Sequence, residues 1–127
     1  MLKLVAVDNY GVVVNPLIVD GQGYGSTVQG LGQALHEEVR YDADGSPAAI
    51  SPLDYLIPTV SELPPLHFAE TCTPNPNTPL GAKGAGEAGC IGTPAAIVNA
   101  VVDALEIDDP SALQTPLTPY GCWRAAR

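Results

Sequence analysis

A carboxylate and an ammonium group, Glu87 and Lys83, lie four residues apart in a glycine-rich stretch of the chain. We call this stretch, residues 79–89, the glycine loop; it contains four glycines. Glycine loses more conformational freedom on folding than other residues, so such a loop indicates a close approach to its backbone. Its N–H groups can bind an anion, and a carboxylate beside them can act as a general base. Two interpretations stay open: a plain connection between elements, or a ligand-binding loop that presents Glu87 as a reacting group.

The glycine loop is not a nucleotide-binding motif. Residues 84–89 match the pattern G-x-G-x-x-G, and Asp108 and Asp109 follow about 20 residues later, as in a dinucleotide fingerprint. That fingerprint also requires a strand before the glycines and a second strand that carries the acid. Here a turn-rich segment precedes the loop, and a predicted helix leads to Asp108. A phosphate-binding P-loop is excluded because no Ser or Thr follows Lys83.

Two histidines and one cysteine are weaker candidates for chemistry. His36 is predicted on a helix flank beside Glu37 and Glu38, and His67 falls in a predicted strand. Cys90 directly follows the glycine loop, but the sequence shows no base that would activate its thiol. We interpret all three as surface or structural residues.

The composition indicates a single acidic domain. The 127 residues include 14 acidic and 5 basic side chains, which give a formal charge of −9 and a pI of about 4.2. Because this charge repels a phosphate backbone, nucleic-acid binding is not expected. The apolar run at the N-terminus is too short for a signal peptide, and no later run approaches the ~20 apolar residues of a membrane span. Three widely spaced cysteines are typical of free thiols, so we expect a cytoplasmic protein.

Hydrophobic spacing predicts a strand and then a helix in the first part of the chain. Residues 2–8 alternate as a strand of about six residues would. After a turn at Asn15-Pro16, a helix capped by Ser26 or Thr27 is expected. Its apolar residues recur at helical spacing: Val28, Leu31, Leu35 and Val39. Gly30 and Gly32 each cost about 1 kcal/mol inside it relative to alanine. They require either close approach to a neighbouring backbone or ligand, or simple packing of the helix on a sheet.

The remaining elements complete an α+β prediction. The turn at residues 42–45 predicts a hairpin that continues through Ala48, Ala49 and Ile50, and residues 66–71 alternate as a strand. Thr93 followed by Pro94 predicts a helix start, and the apolar stripe continues to Leu105. A short helix is expected within residues 115–127. The fold class is therefore α+β: a single domain with a few strands, two main helices and long Pro/Gly-rich loops.

Four stretches, in chain order, resemble a known family. They are Asn15-Pro16 with Gly21-Gln22, residues 29–35 with Glu37-Glu38, residues 54–58, and the glycine loop. Together they resemble the C-terminal part of the molybdenum-binding large subunit of the xanthine dehydrogenase, aldehyde oxidase and carbon monoxide dehydrogenase-type family. The chain departs from that pattern at Asn9-Tyr10, where an acid and a small residue are common.

The resemblance implies an oxidoreductase, a molybdenum hydroxylase, and assigns its site. In that family a pterin dithiolene holds the metal, so no side chain of this chain is expected as a metal ligand. A glutamate at the position of Glu87 is the general base at the molybdenum centre. The residues that match the cofactor's surroundings are Gln22, Gln29, Lys83, Gly84, Ala85 and Gly86.

The resemblance also implies that residues 1–127 form the C-terminal molybdopterin-binding part of a longer subunit. The implied partners are the remainder of the molybdenum subunit, iron–sulfur and FAD subunits or domains, and a small substrate such as an aldehyde or heterocycle. The implied cofactor is molybdenum–pterin in its cytosine dinucleotide form, and the isolated chain is expected to be inactive. The alternative hypothesis is an orphan or truncated, non-catalytic domain that self-associates into a homo-oligomer through exposed apolar surface.

Overall fold

Two parallel strands and two long helices hold the glycine loop in place. The computed structural model describes residues 1–49 and 51–127. In chain order, the elements of this part are β1 (Leu4–Asn9), α1 (Pro16–Leu35), β2 (Leu66–Thr71), α2 (Ala88–Ala104) and α3 (Pro119–Ala125), with 3₁₀ turns at Val60–Glu62 and Pro110–Ala112. β1 pairs with β2 in parallel, from Leu4 opposite Leu66 to Asn9 opposite Thr71. The predicted α+β class is confirmed.

Helix α1 begins earlier than the sequence predicted. Asn15 is its N-cap, since the Asn15 side chain accepts a hydrogen bond from the Ile18 N–H at 3.3 Å, and proline occupies the first turn. The cap predicted at Ser26 or Thr27 is therefore wrong, because both residues lie buried in the middle of the helix. The turn predicted at Asn15-Pro16 is instead the helix start, where proline's missing N–H removes no helical hydrogen bond.

Helix α1 also ends earlier than predicted. Its last residue is Leu35, so Val39 lies outside it. The N–H groups of His36 and Glu37 both donate to the Gly32 carbonyl, at 2.8 Å each, which closes the last turn. The apolar spacing of Val39 is therefore incidental.

Helix α2 begins at Ala88, with Glu87 as its N-cap residue. The start predicted at Thr93 and Pro94 is wrong, because Pro94 lies inside the helix and the Thr93 side chain is buried. Pro94 is the seventh residue of α2, beyond the first four N–H groups that lack intrahelical partners, so it removes one hydrogen bond inside the helix. The end of the glycine loop is thus the first turn of α2.

The core lies where α1 packs on α2 and the C-terminal segment closes over both. Its buried apolar residues are Leu31, Ala34, Ile97 and Leu117. The Leu117 N–H donates to the Ala34 carbonyl at 2.7 Å, which ties the C-terminal segment to α1. A Cβ added at Gly30 would lie 2.8 Å from the Thr93 Cβ. Close packing of Gly30 is therefore confirmed, and its partner is helix α2 and not the sheet.

The hairpin predicted after residues 42–45 is reduced to a single bridge, because Ala48 and Ala49 do not continue as a strand. Tyr41 and Pro47 form an antiparallel bridge across the turn predicted at residues 42–45, while Ile50 lies outside the described residues. The strand predicted at 66–71 is β2, and the short terminal helix is α3. In the part of the chain that the structure describes, no helix has the length and apolar character to cross a membrane.

Candidate functional site

The first half of the glycine loop is fixed to the segment that follows β1. Gly11 and Ala82 form an antiparallel bridge. The Val12 N–H donates to the Gly81 carbonyl at 3.1 Å, and the Lys83 N–H donates to the Tyr10 carbonyl at 2.9 Å. Gly11 has φ of 64°, and a Cβ there would overlap the Gly81 carbonyl oxygen, so no other residue fits. The backbone at Lys83 is therefore held in one place.

Asn9 connects the end of β1 to the loop through its side chain. The Asn9 Oδ1 atom accepts hydrogen bonds from the Gly11 N–H, the Thr73 N–H and the Lys83 Nζ, each at 3.1 Å. Its Nδ2 donates to Thr73 Oγ1 at 2.8 Å. The neutral Asn9 amide orients the Lys83 ammonium and leaves its positive charge uncompensated. An acid at this position would instead neutralise that charge. Lys83 is exposed and presents this charge beside the loop.

Tyr10, between Asn9 and Gly11, anchors the end of β1 through its buried side chain. Its hydroxyl donates to Asp8 Oδ2 at 2.6 Å. Burial, together with the hydrogen bond to Asp8 and the charges of Glu70 and Asp20, raises the pKa of the Tyr10 phenol well above its usual range. The phenol therefore stays protonated at neutral pH and keeps its bond to Asp8.

The second half of the loop meets helix α1 at Gln22. A Cβ added at Gly86 would lie 3.5 Å from Gln22 Oε1, while one at Gly84 would have no atom within 4 Å. Glu87 follows Gly86 directly, and its side chain is exposed. The structure therefore brings Gln22 from the first part of the chain beside Gly86 and Glu87 from the second, with open space next to Gly84.

The other predicted site residues lie near this group. Ala85 is half-buried between Gly84 and Gly86. Gln29 is exposed on α1, seven residues after Gln22, and so shares its helix face about two turns further on. None of the described hydrogen bonds joins Gln29 to the loop. Among the predicted site residues, the structure therefore brings Gln22 to Gly86, next to Glu87, while Lys83 is held by Asn9.

Ser26, which the sequence suggested only as a helix cap, contacts the end of the glycine loop. Its Oγ accepts a hydrogen bond from the Gly89 N–H at 3.2 Å and donates to the Gly23 carbonyl at 3.3 Å. Ser26 lies one turn after Gln22 on α1, so the two side chains contact consecutive parts of the loop. This bond fixes the first turn of α2 two residues after Glu87. No local pattern marks it, because the two partners are far apart in sequence.

Ser26→Ala is expected to loosen the first turn of α2. The change leaves the Gly89 N–H without its acceptor in a buried position, which costs roughly 1–3 kcal/mol of folding free energy. We expect the Gly89 amide to exchange its hydrogen faster, as measured by NMR on the isolated chain. The matched control is Ser61→Ala, an exposed serine in the 3₁₀ turn, which should leave Gly89 unchanged. Unaltered exchange at Gly89 would contradict the role of Ser26.

The arrangement suits one side of an anionic, hydrogen-bonding ligand. Lys83 supplies a positive charge, Gln22 an amide and Glu87 a carboxylate, and all three side chains are exposed. The open space at Gly84 lets a ligand approach the backbone closely. These donors fit a pterin cofactor, which carries both a phosphate and hydrogen-bonding ring edges, and the carboxylate can accept a proton from a group held there.

Comparisons with known proteins identify the family of the chain. The family described as "Molybdopterin cofactor-binding domain" matches residues 1–64. The chain is 42% identical over 125 residues to the nicotine 6-hydroxylase large subunit of Paenarthrobacter nicotinovorans, covering 98% of this chain and 15% of that protein. It is 34% identical over 122 residues to the carbon monoxide dehydrogenase large chain of Afipia carboxidovorans, covering 96% of this chain and 15% of that one.

A solved structure shows the same fold. The quinoline 2-oxidoreductase of Pseudomonas putida 86 superposes with a TM-score of 0.85 at 39% identity, over 96% of this chain and 16% of that one. The chain thus spans about 15% of the length of the relatives that it matches. It belongs to the molybdopterin-binding large-subunit family of the xanthine dehydrogenase, aldehyde oxidase and carbon monoxide dehydrogenase type, a family of oxidoreductases.

Proposed function

We propose that this chain is the C-terminal molybdopterin-binding part of a molybdenum hydroxylase and that Glu87 is its general base. The reaction is hydroxylation of an aldehyde, a heterocycle or a similar small substrate with oxygen derived from water. The observation that supports this most is the meeting of Gln22 with Gly86, beside Glu87, in a chain of this family. The segment that contains Gln22 and the glycine loop, which both contribute to the resemblance, therefore meet at Gly86.

Each of the predicted site residues has a role in this proposal. The cofactor, when bound, supplies the molybdenum centre at which the substrate carbon is oxidised. Glu87 accepts a proton at its carboxylate oxygens, and Gln22 holds the cofactor through its side-chain amide. Lys83 offers its ammonium to an anionic group, with Asn9 orienting it. Exposed Gln29 and the backbone of residues 84–86 line the remaining contact.

The finer assignments follow the relatives and the composition. Two of the relatives are named for the oxidation of the nitrogen heterocycles nicotine and quinoline, which favours a heterocycle as substrate. One is a large subunit, which supports partner subunits, and we propose that these carry iron–sulfur clusters and FAD. We propose the cytosine dinucleotide form of the cofactor. Three cysteines without disulfides among the described residues support a cytoplasmic location.

A hybrid enzyme tests the proposal. The matching 125 residues of the nicotine 6-hydroxylase large subunit are replaced by this chain, which gives what we call the hybrid large subunit. We expect the hybrid, assembled with its native partner subunits, to bind molybdenum and pterin and to hydroxylate nicotine with an artificial electron acceptor. A folded hybrid without molybdenum or pterin would contradict the proposal and favour the non-catalytic alternative.

A further inference from the structure

The sheet leaves apolar side chains uncovered. Parallel sheets are normally covered on both faces and rarely stop at two strands. In residues 1–49 and 51–127, only β1 and β2 form this sheet. The side chains of Leu4, Ala6 and Asp8 are partly buried, whereas Val5 and Val7 are 59% and 60% exposed. One face of the sheet is therefore open to a further packing partner.

Strand β1 also has a free hydrogen-bonding edge. The Leu4 N–H donates to the Pro65 carbonyl at 3.0 Å, on the side of β2. Successive residues of a strand direct their backbone groups to opposite sides, so the N–H and C=O groups of Val5 and Val7 point away from β2. An unpaired row of this kind is a template for another strand.

The free edge faces an open groove of about 190 Å³ between β1 and α2. Its far wall includes Ala88, Gly92 and Ala96, which are four residues apart and so share one face of the helix. A Cβ added at Gly92 would have no atom within 4 Å. The wall of the groove at Gly92 is therefore open, and a strand that paired with β1 on this side would gain main-chain hydrogen bonds from Val5 and Val7.

We propose that a strand from the rest of the molybdenum large subunit pairs with the free edge of β1. The chain spans about 15% of such a subunit, so most of that subunit lies outside these 127 residues and is available to cover the edge. A second copy of the chain is a poorer occupant, because each copy carries a formal charge of −9 and the copies repel each other. The inference rests on the proposed function and adds the surface by which the chain joins the subunit.

Hydrogen exchange tests this pairing directly. The peptide that covers β1 is compared between the isolated chain and the hybrid large subunit by mass spectrometry. We expect exchange at Val5 and Val7 to be slower by about tenfold or more in the hybrid, because a neighbouring strand accepts their N–H groups.

Val7→Pro removes one outward N–H and no hydrogen bond between β1 and β2, a position where proline is tolerated. In the hybrid it is expected to abolish the slow exchange of β1 and to lower the Tm, while the Tm of the isolated chain stays the same. The matched control is Glu70→Pro, since Glu70 is exposed and its backbone points away from β1 by the same alternation. If Val7→Pro prevents the isolated chain from folding, the exchange comparison with the unaltered sequence decides.

The outcomes separate this inference from the proposed function. A folded hybrid that binds cofactor, yet exchanges β1 as fast as the isolated chain does, overturns the edge pairing alone. A hybrid that does not fold counts against both. Slow exchange of β1 in the isolated chain, together with a dimer by light scattering, overturns the pairing in favour of a second copy. Loss of slow exchange with Glu70→Pro as well as Val7→Pro overturns the assignment to this edge.

Discussion

Glu87→Gln in the hybrid large subunit is expected to lower kcat for nicotine hydroxylation by about 10²–10⁴-fold, the usual contribution of a general base. The amide has nearly the same size as the carboxylate but accepts a proton far less readily. Glu87 is exposed at the start of α2 and its side chain makes no capping hydrogen bond, so the substitution leaves the helix intact. Steady-state rates over a range of nicotine concentrations separate kcat from KM, and we expect the loss in kcat.

The control for this variant makes the same chemical change elsewhere on α2. Asp103→Asn replaces an exposed carboxylate by an amide near the other end of the helix and is expected to keep full activity. Molybdenum and pterin content are measured for both variants, so that a rate is compared only at equal loading. Full activity of Glu87→Gln at equal loading would refute the role of Glu87 as base.

Elements with a clear hydrophobic period were predicted well from the sequence. The alternation at residues 66–71 corresponds residue by residue to β2, because one face of this strand packs inward. The starts of α1 and α2 were not predicted, because local rules penalise glycines, which lie in the first half of α1 and in the first turn of α2. Those glycines are tolerated because of tertiary contacts: Gly23 lies against Tyr10, and Gly89 against Ser26. Contacts between distant segments are not visible in a local pattern.

The candidate site likewise contains residues that a local pattern reveals and residues whose contacts come from distant segments. The contiguous run from Lys83 to Glu87 could be identified from the sequence, since glycine content and charge spacing are local properties. That Gln22 belongs beside it followed only from the resemblance, and its contact with Gly86 depends on how α1 crosses α2. The contacts of Ser26 and Asn9 with the loop region could not be predicted, because their hydrogen-bond partners lie 63, 64 and 74 residues away in the sequence. The catalytic and cofactor-binding roles themselves stay predictions.

Gly89→Ala is expected to destabilise the isolated chain by about 3 kcal/mol, the upper end of the usual cost of overpacking. The new Cβ would lie 2.5 Å from Ser26 Oγ, 2.5 Å from Thr27 Oγ1 and 2.6 Å from the Thr27 backbone nitrogen. The backbone of α1 cannot move aside alone, so α1 and α2 must separate and expose part of the core around Leu31. Urea denaturation followed by circular dichroism measures the change in the free energy of unfolding.

Gly92→Ala makes the same substitution one turn later in α2 and serves as the matched control. Since a Cβ at Gly92 meets no atom within 4 Å, only helix propensity acts there, and the variant should be more stable by about 0.5–1 kcal/mol. The two variants share the propensity gain, so the difference between their free energies of unfolding isolates the contact of Gly89 with α1. Similar stabilities for the two variants would show that α1 and α2 do not meet this closely. In that case the packing that brings Gln22 to Gly86 would lose its main support, because Ser26 and Gln22 lie on the same helix, one turn apart.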